Sequence, residues 1–186
     1  MKAIGFIVGI FICLGFVSIN PTRVVITEQS QIVIKGKSNV NSFQCQYNSS
    51  LLEEEYCISF LKQRNAIVCR GAAIEIKSNG FDCKHKMITK DLKTILQADE
   101  FPNIKIELLE LNDIATPITA KVNVSIAGQK NTYTLPVQYN AKNNNVKGLL
   151  KINIEDFALK APKKLLGAIV VNNQVDIDFN LYFNIK

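Results

Sequence analysis

The chain has 186 residues, of which 47% are hydrophobic and 20% charged, a balance that suits one globular domain with a sizeable core and excludes a disordered or low-complexity polypeptide. The formal net charge is +6, yet the chain has only three arginines, no tryptophan and no interleaving of basic with aromatic residues. A nucleic-acid partner is therefore not expected.

Met1-Lys2 precede an apolar run from Ala3 to Val17, after which Ser18, Asn20, Pro21 and Thr22 turn polar. This is the profile of a signal peptide over residues 1–20, with cleavage expected near Ser18 to Asn20. The run falls short of the about 20 apolar residues of a membrane span; an uncleaved N-terminal anchor is the alternative, because no small-x-small cleavage site is visible. Cys13 follows Ile12, where a lipid-attachment motif wants a small residue, so it reads as part of the signal's apolar core. The expectation is an exported, periplasmic or extracytoplasmic protein with a single domain over residues 22–186. Loss of Lys2 leaves it basic, at about +5.

From Val24 onward the period is two. Ile26, Ile32 and Ile34 begin the series, Gly36-Lys37-Ser38-Asn39 turns it, and Val40, Phe43, Cys45 and Tyr47 follow. Cys57 to Cys69 reads as a hairpin turning near Gln63 to Asn65, and Ala73, Ile74, Ile76 and Phe81 carry the next strand. A helix then interrupts at about residues 89–98. Leu92, Ile95 and Leu96 share one face at i, i+3, i+4, Thr89 or Asp91 caps the start, and Pro102 forbids continuation. Ile104, Ile106 and Leu108 return to strand alternation, followed by Ala120 to Ile126 and, across the turn Ala127 to Lys130, by Tyr133 to Tyr139. Asn140 to Asn145 is a further turn, and Gly148, Leu150, Ile152 and Ile154 form one face of the next strand. Lys160 to Gly167 is a surface connection. In the last strand Val175, Ile177, Phe179, Leu181, Phe183 and Ile185 alternate with polar residues, a pattern that predicts one face shut off from water.

About eight strands with hairpin-length gaps predict an all-β chain, either a single antiparallel, lipocalin-like β-barrel or a two-sheet sandwich. Closure into a barrel removes the exposed edges best. An eight-stranded barrel is either filled by side chains or just able to hold one small ligand.

Cys45, Cys57, Cys69 and Cys83 remain after signal removal, an even count that in an exported chain indicates two disulfides with three connectivities open. The hairpin reading favours Cys57 with Cys69, leaving Cys45 with Cys83. A zinc site lacks ligand spacing, since His85 is the only histidine, and no metal or cofactor is expected. No catalytic constellation appears either. There is no glycine-rich phosphate loop, no His-Glu-x-x-His and no nucleophile elbow, and Asp99-Glu100 before Pro102 read as a helix end. The chain is thus expected not to be an enzyme. Eight basic residues between Lys62 and Lys93 face only Glu75, Asp82 and Asp91 in that stretch. They read as a solvated face, or as a contact with anionic lipid head groups.

Three stretches, Ser38-Asn39-Val40-Asn41-Ser42-Phe43, Met87 through Asp91-Leu92 to Phe101-Pro102-Asn103-Ile104, and Gly148 to Phe157, together resemble the YceI-like family of exported barrels. That resemblance implies an extended antiparallel barrel holding a long isoprenoid, such as a polyprenyl chain or quinone tail. On this reading the lumen residues are Phe43, Ile104, Ile106, Leu108, Val122, Val124, Leu135, Val137, Ile152, Ile154, Ile177, Phe179 and Leu181, with Leu92, Ile95 and Leu96 as a lid. Alternation alone reports burial and leaves ordinary core as the other reading. At about 0.3 kcal/mol per atom a forty-carbon tail reaches roughly 12 kcal/mol, enough for tight binding. The alternative function is a ligand-free barrel acting as an envelope-stress or protein-interaction module.

Overall fold

The computed structural model describes residues 21–52, 55–112, 117–164 and 169–186. The expected signal segment lies outside the described residues.

In chain order the strands are β1 (Thr22–Ile26), β2 (Gln31–Lys37), β3 (Ser42–Tyr47), β4 (Tyr56–Lys62), β5 (Ile67–Arg70), β6 (Ala73–Lys77) and β7 (Phe81–Asp82). The helix α1 (Lys86–Ile95) follows. Then come β8 (Asn103–Asn112), β9 (Ile118–Ile126), β10 (Gln129–Asn140), β11 (Asn145–Asn153), the two-residue β12 (Lys163–Lys164) and β13 (Ile169–Val170), and β14 (Gln174–Ile185). Strands β1, β4, β5, β8, β9, β10, β11 and β14 are antiparallel neighbours in that order, and β14 pairs back onto β1. The sheet closes on itself, which decides for the barrel over the sandwich.

Two strands each serve two partners along one edge. Asp176–Asn180 of β14 pair with β2, whereas Phe183–Ile185 pair with β1. The corner between β1 and β2 is pinned to Tyr182: Thr27 donates its N–H to the Tyr182 carbonyl at 2.9 Å, and Tyr182 donates its own to the buried Ser30 hydroxyl at 3.0 Å. Strand β8 likewise pairs with β5 through Glu110 and Leu111 and with β6 through Asn103–Glu107. Between β5 and β6 the chain turns at Gly71, whose φ of 74° and whose approach to the Cys57 carbonyl, 2.5 Å from where a Cβ would sit, leave no room for a side chain. A bulge between Leu108 and Glu110 shifts the inward parity of β8, so that Leu111 rather than Glu110 packs against the core.

Inward-facing aliphatics from β2, β8, β9, β10 and β11 form one continuous core with Tyr47, Phe81, Phe157 and the apolar face of α1. Two glycines make space for it. Gly36 sits directly opposite Phe43 and Gly148 directly opposite Phe179, and in both pairs the ring covers the glycine Cα.

Three expectations need correction. The helix starts at Lys86 and ends at Ile95, three residues before the expected span. Thr89 is not its cap: its hydroxyl accepts the Cys83 N–H at 3.0 Å and donates to Asp82 at 3.2 Å. The helix instead begins after the extended His85 and ends where Gln97 turns left-handed at φ 50°. Strand β14 does not have a face shut off from water. Only Ile177 of its inward set is buried; Val175, which borders the cavity, is half-buried, as are Phe179, Leu181 and Phe183, and Ile185 at the end of the strand is exposed. Finally, Cys57 and Cys69 are free thiols. The β4–β5 register places Phe60, not Cys57, opposite Cys69. Cys57 lies three positions before Phe60, an odd offset, so the two cysteines point to opposite faces of the sheet.

Candidate functional site

The site is built at the barrel end where α1 sits. A disulfide between Cys45 on β3 and Cys83, three residues before α1, ties the start of the helix to the wall. Tyr47, on the same strand, accepts the Lys77 N–H at 3.1 Å and packs on Phe81 with ring centroids 5.1 Å apart, linking β3 to the end of β6. Burial pushes the Tyr47 hydroxyl above its ordinary pKa, with the Lys77 N–H pulling the other way. At the far end of the helix the buried Ser78 donates to the Phe101 carbonyl at 2.8 Å and its N–H to that of Pro102 at 2.8 Å. Both ends of α1 are therefore anchored before its own side chains contribute.

Between α1 and the barrel wall lies a cavity of about 180 Å³. One water needs only about 10–15 Å³ by the same measure, so the interior is not filled by side chains. From the helix Ile88, Leu92, Ile95 and Leu96 face it. From the barrel come Ile32, Ile34, Phe43, Ile76, Ile104, Ile106, Val124, Ile126, Ile152, Ile154, Val175 and Ile177, with Leu159, Pro162 and Val171 from the segment before β14. Among the described residues the polar ones on the cavity wall are Ser38, Asn41, Asp91 and Asn172. Three of these belong to a knot: Ser38 donates to the Asn41 carbonyl at 3.1 Å and forms a bridge with Val171, and Asn172 donates its N–H to the Lys37 carbonyl at 2.8 Å.

The thirteen residues expected in the lumen divide into two groups. Phe43, Ile104, Ile106, Val124, Ile152, Ile154 and Ile177 border the cavity, as do Leu92, Ile95 and Leu96 of the helix. Val122, Leu135 and Val137 are buried in the core away from it, and Leu108, Phe179 and Leu181 are half-buried against that core. Sequence reasoning missed Ile88, which extends the Leu92 face by i−4, and Ile32, Ile34, Ile76 and Val175, whose alternation was legible. It also missed Leu159, which follows a 3-10 turn (Ile154–Phe157) by two residues and has no periodic signal.

The opposite face of α1 is basic. Lys84, His85, Lys86 and Lys90 are exposed and Lys93 is half-buried, around a shallow depression shared with Asp82 and Thr89. Among the described residues no group of three or more His, Cys, Asp or Glu could hold a metal ion. Cys69 is buried and its thiol is pushed up to about 11 by that burial, whereas Cys57 is exposed. A maleimide should therefore label Cys57 in the native protein and reach Cys69 only after unfolding. Two unreactive sites that become reactive together on reduction would restore the Cys57–Cys69 disulfide.

The family of the YceI-like domain matches residues 24–183. The chain belongs to the YceI-like family. The fold agrees: BcnA of Burkholderia cenocepacia is similar with a TM-score of 0.66 at 18% identity, over 84% of this chain and 96% of that one. A polyisoprenoid binding domain from Saccharophagus degradans, implicated in plant cell wall breakdown, is similar with a TM-score of 0.56 at 11% identity, over 90% of this chain and 99% of that one. At these identities the likeness is one of fold. No curated protein sequence matches. Within this YceI-like barrel the disulfide and the cavity meet at α1: Cys83 holds the start of the helix and Leu92 and Leu96 close it down on the lumen.

Proposed function

We propose that this YceI-like protein is an exported lipid-binding protein that holds an isoprenoid or similar long apolar chain inside its barrel, as a carrier or reservoir, and is not an enzyme. The observation that carries the reading is the aliphatic cavity within a closed barrel. Such a space gains free energy only from an apolar occupant, because each polar group brought into it without a partner is costly. Beyond the cavity the apolar side chains of Leu108, Phe179 and Leu181 continue half-buried along the same core, where a long chain rather than a compact ligand would reach them. The polyisoprenoid binding of the Saccharophagus domain supports the same chemistry. On this reading α1 is the lid, and Leu92, Ile95 and Leu96 lie between the bound chain and solvent. The signal-like residues 1–20 and the Cys45–Cys83 disulfide both fit an oxidising, extracytoplasmic location. The competing reading, a filled barrel acting purely as an interaction module, has no account of the cavity.

Native mass spectrometry of protein produced by export, followed by lipid extraction, tests the proposal. A co-purifying isoprenoid is the expected result. Protein that stays empty after export and after incubation with polyprenol would end the carrier reading.

A further inference from the structure

The apolar face of α1 is turned to the cavity, and its other face carries charge that nothing in the fold explains. Among the described residues Lys84, Lys86, Lys90 and Lys93 form no ion pair. The nearby acid, Asp82, is engaged by the Lys84 N–H at 3.0 Å and by the Thr89 hydroxyl. A merely solvated lysine face would be polar throughout, but this one contains Met87, 61% exposed between Lys86 and Lys90. Two more large apolar side chains stand free at the same end of the barrel. Val40, 63% exposed, lies in the turn between Ser38 and Asn41, and Val170, 47% exposed, precedes Val171; Ser38, Asn41 and Val171 all border the cavity.

We propose that this end of the barrel docks on the surface of an anionic lipid bilayer. The four lysines contact head groups, and Met87, Val40 and Val170 enter the interfacial layer. Basic side chains interspersed with a few exposed apolar ones are the signature of interfacial binding. A soluble acidic partner of the lysines would leave the three apolar groups unaccounted for. Docking in this pose sets α1 and the adjoining rim of the cavity against the membrane, so an apolar chain passes between bilayer and barrel without crossing bulk water. The surface stands independently of what the cavity holds, since it can be assayed on empty protein.

The test is flotation of the purified protein with vesicles of phosphatidylcholine alone and of phosphatidylcholine mixed equally with phosphatidylglycerol. Binding is expected on the mixed vesicles only and is lost at high salt, where the Debye length shrinks to about 3 Å. Each surface lysine contributes roughly fivefold in affinity, so Lys86→Glu with Lys90→Glu lowers the partition coefficient by at least about twentyfold. Glu at position 86 stands in the first turn, where an acid favours the dipole, which offsets its i, i+4 repulsion with Glu at position 90, and circular dichroism of the variant checks that α1 is kept. Lys121→Glu with Lys147→Glu, exposed on the barrel wall, makes the same change in net charge and is expected to retain most of the binding. Met87→Ser with Val40→Ser weakens binding without altering its salt dependence. Equal binding to both vesicle types, or equal losses in the two double lysine variants, overturns the proposal.

Discussion

Replacing Cys45 and Cys83 together by alanine is expected to lower stability by about 4 kcal/mol from the chain-entropy cost of the loop alone, a loop whose ends are 38 residues apart in sequence. For a domain of this size that corresponds to a fall of roughly 8–16 °C in Tm. The effect is large because the bridge fixes α1 to the wall before any side-chain packing. Cys45 is fully buried in the core, so removal of its sulfur adds a packing loss. Thermal unfolding with and without reductant measures it: reduced wild type should melt well below the oxidised protein, and the double variant lower still by the packing lost with the buried sulfur. Coincident melting of all three would mean that packing alone holds the helix.

The second large effect is at Val124, which is fully buried, borders the cavity and lies opposite Ile106 across β8 and β9. Val124→Asp places a carboxylate among aliphatic side chains, and Asp91, the one charged residue on the cavity wall among the described residues, offers it no opposite charge. The expected loss is at least about 3 kcal/mol. Loss of stability alone does not distinguish a lined lumen from ordinary core. Ile88→Trp is the companion variant. Ile88 is half-buried on α1 and faces the cavity, so a larger apolar ring occupies the free space with little loss of stability. If a lipid resides there, Ile88→Trp should keep its Tm and lose the lipid; unchanged lipid content in a well-folded variant places the ligand elsewhere.

The barrel was legible in the sequence wherever one face is wet and the other dry. Ile104-Lys105-Ile106-Glu107-Leu108 and the β9 residues around Val124 alternate as they do because burial in a closed sheet leaves only two directions. The cavity was not legible, since the same alternation describes Val122, which packs in the core, and Val124, which borders free space. Register was the other blind spot. A hairpin centred on Gln63 aligns Cys57 with Cys69, but the turn closes by a hydrogen bond from Gln63 to the Ala66 carbonyl at 2.8 Å. Composition does not specify that closure, and moving a partner by an odd number of residues changes its face. The helix was found by its apolar face and misplaced by its cap, because Thr89 spends its hydroxyl on Asp82 and the Cys83 N–H.

Strand β14 ends the order in which the barrel can be made. It is the last barrel strand to be synthesised, and it supplies the missing neighbour to β11, to β2 and to β1 at once. Until Gln174–Ile185 emerge, three strands keep unpaired edges, the arrangement most prone to pairing with another molecule. Closing the ring also joins residues more than 150 positions apart, such as Val24 with Ile185, and contacts of that separation form slowly. The chain therefore matures as a whole after synthesis instead of segment by segment. Loss of β14 would open three strand edges at once, and aggregation is its expected consequence.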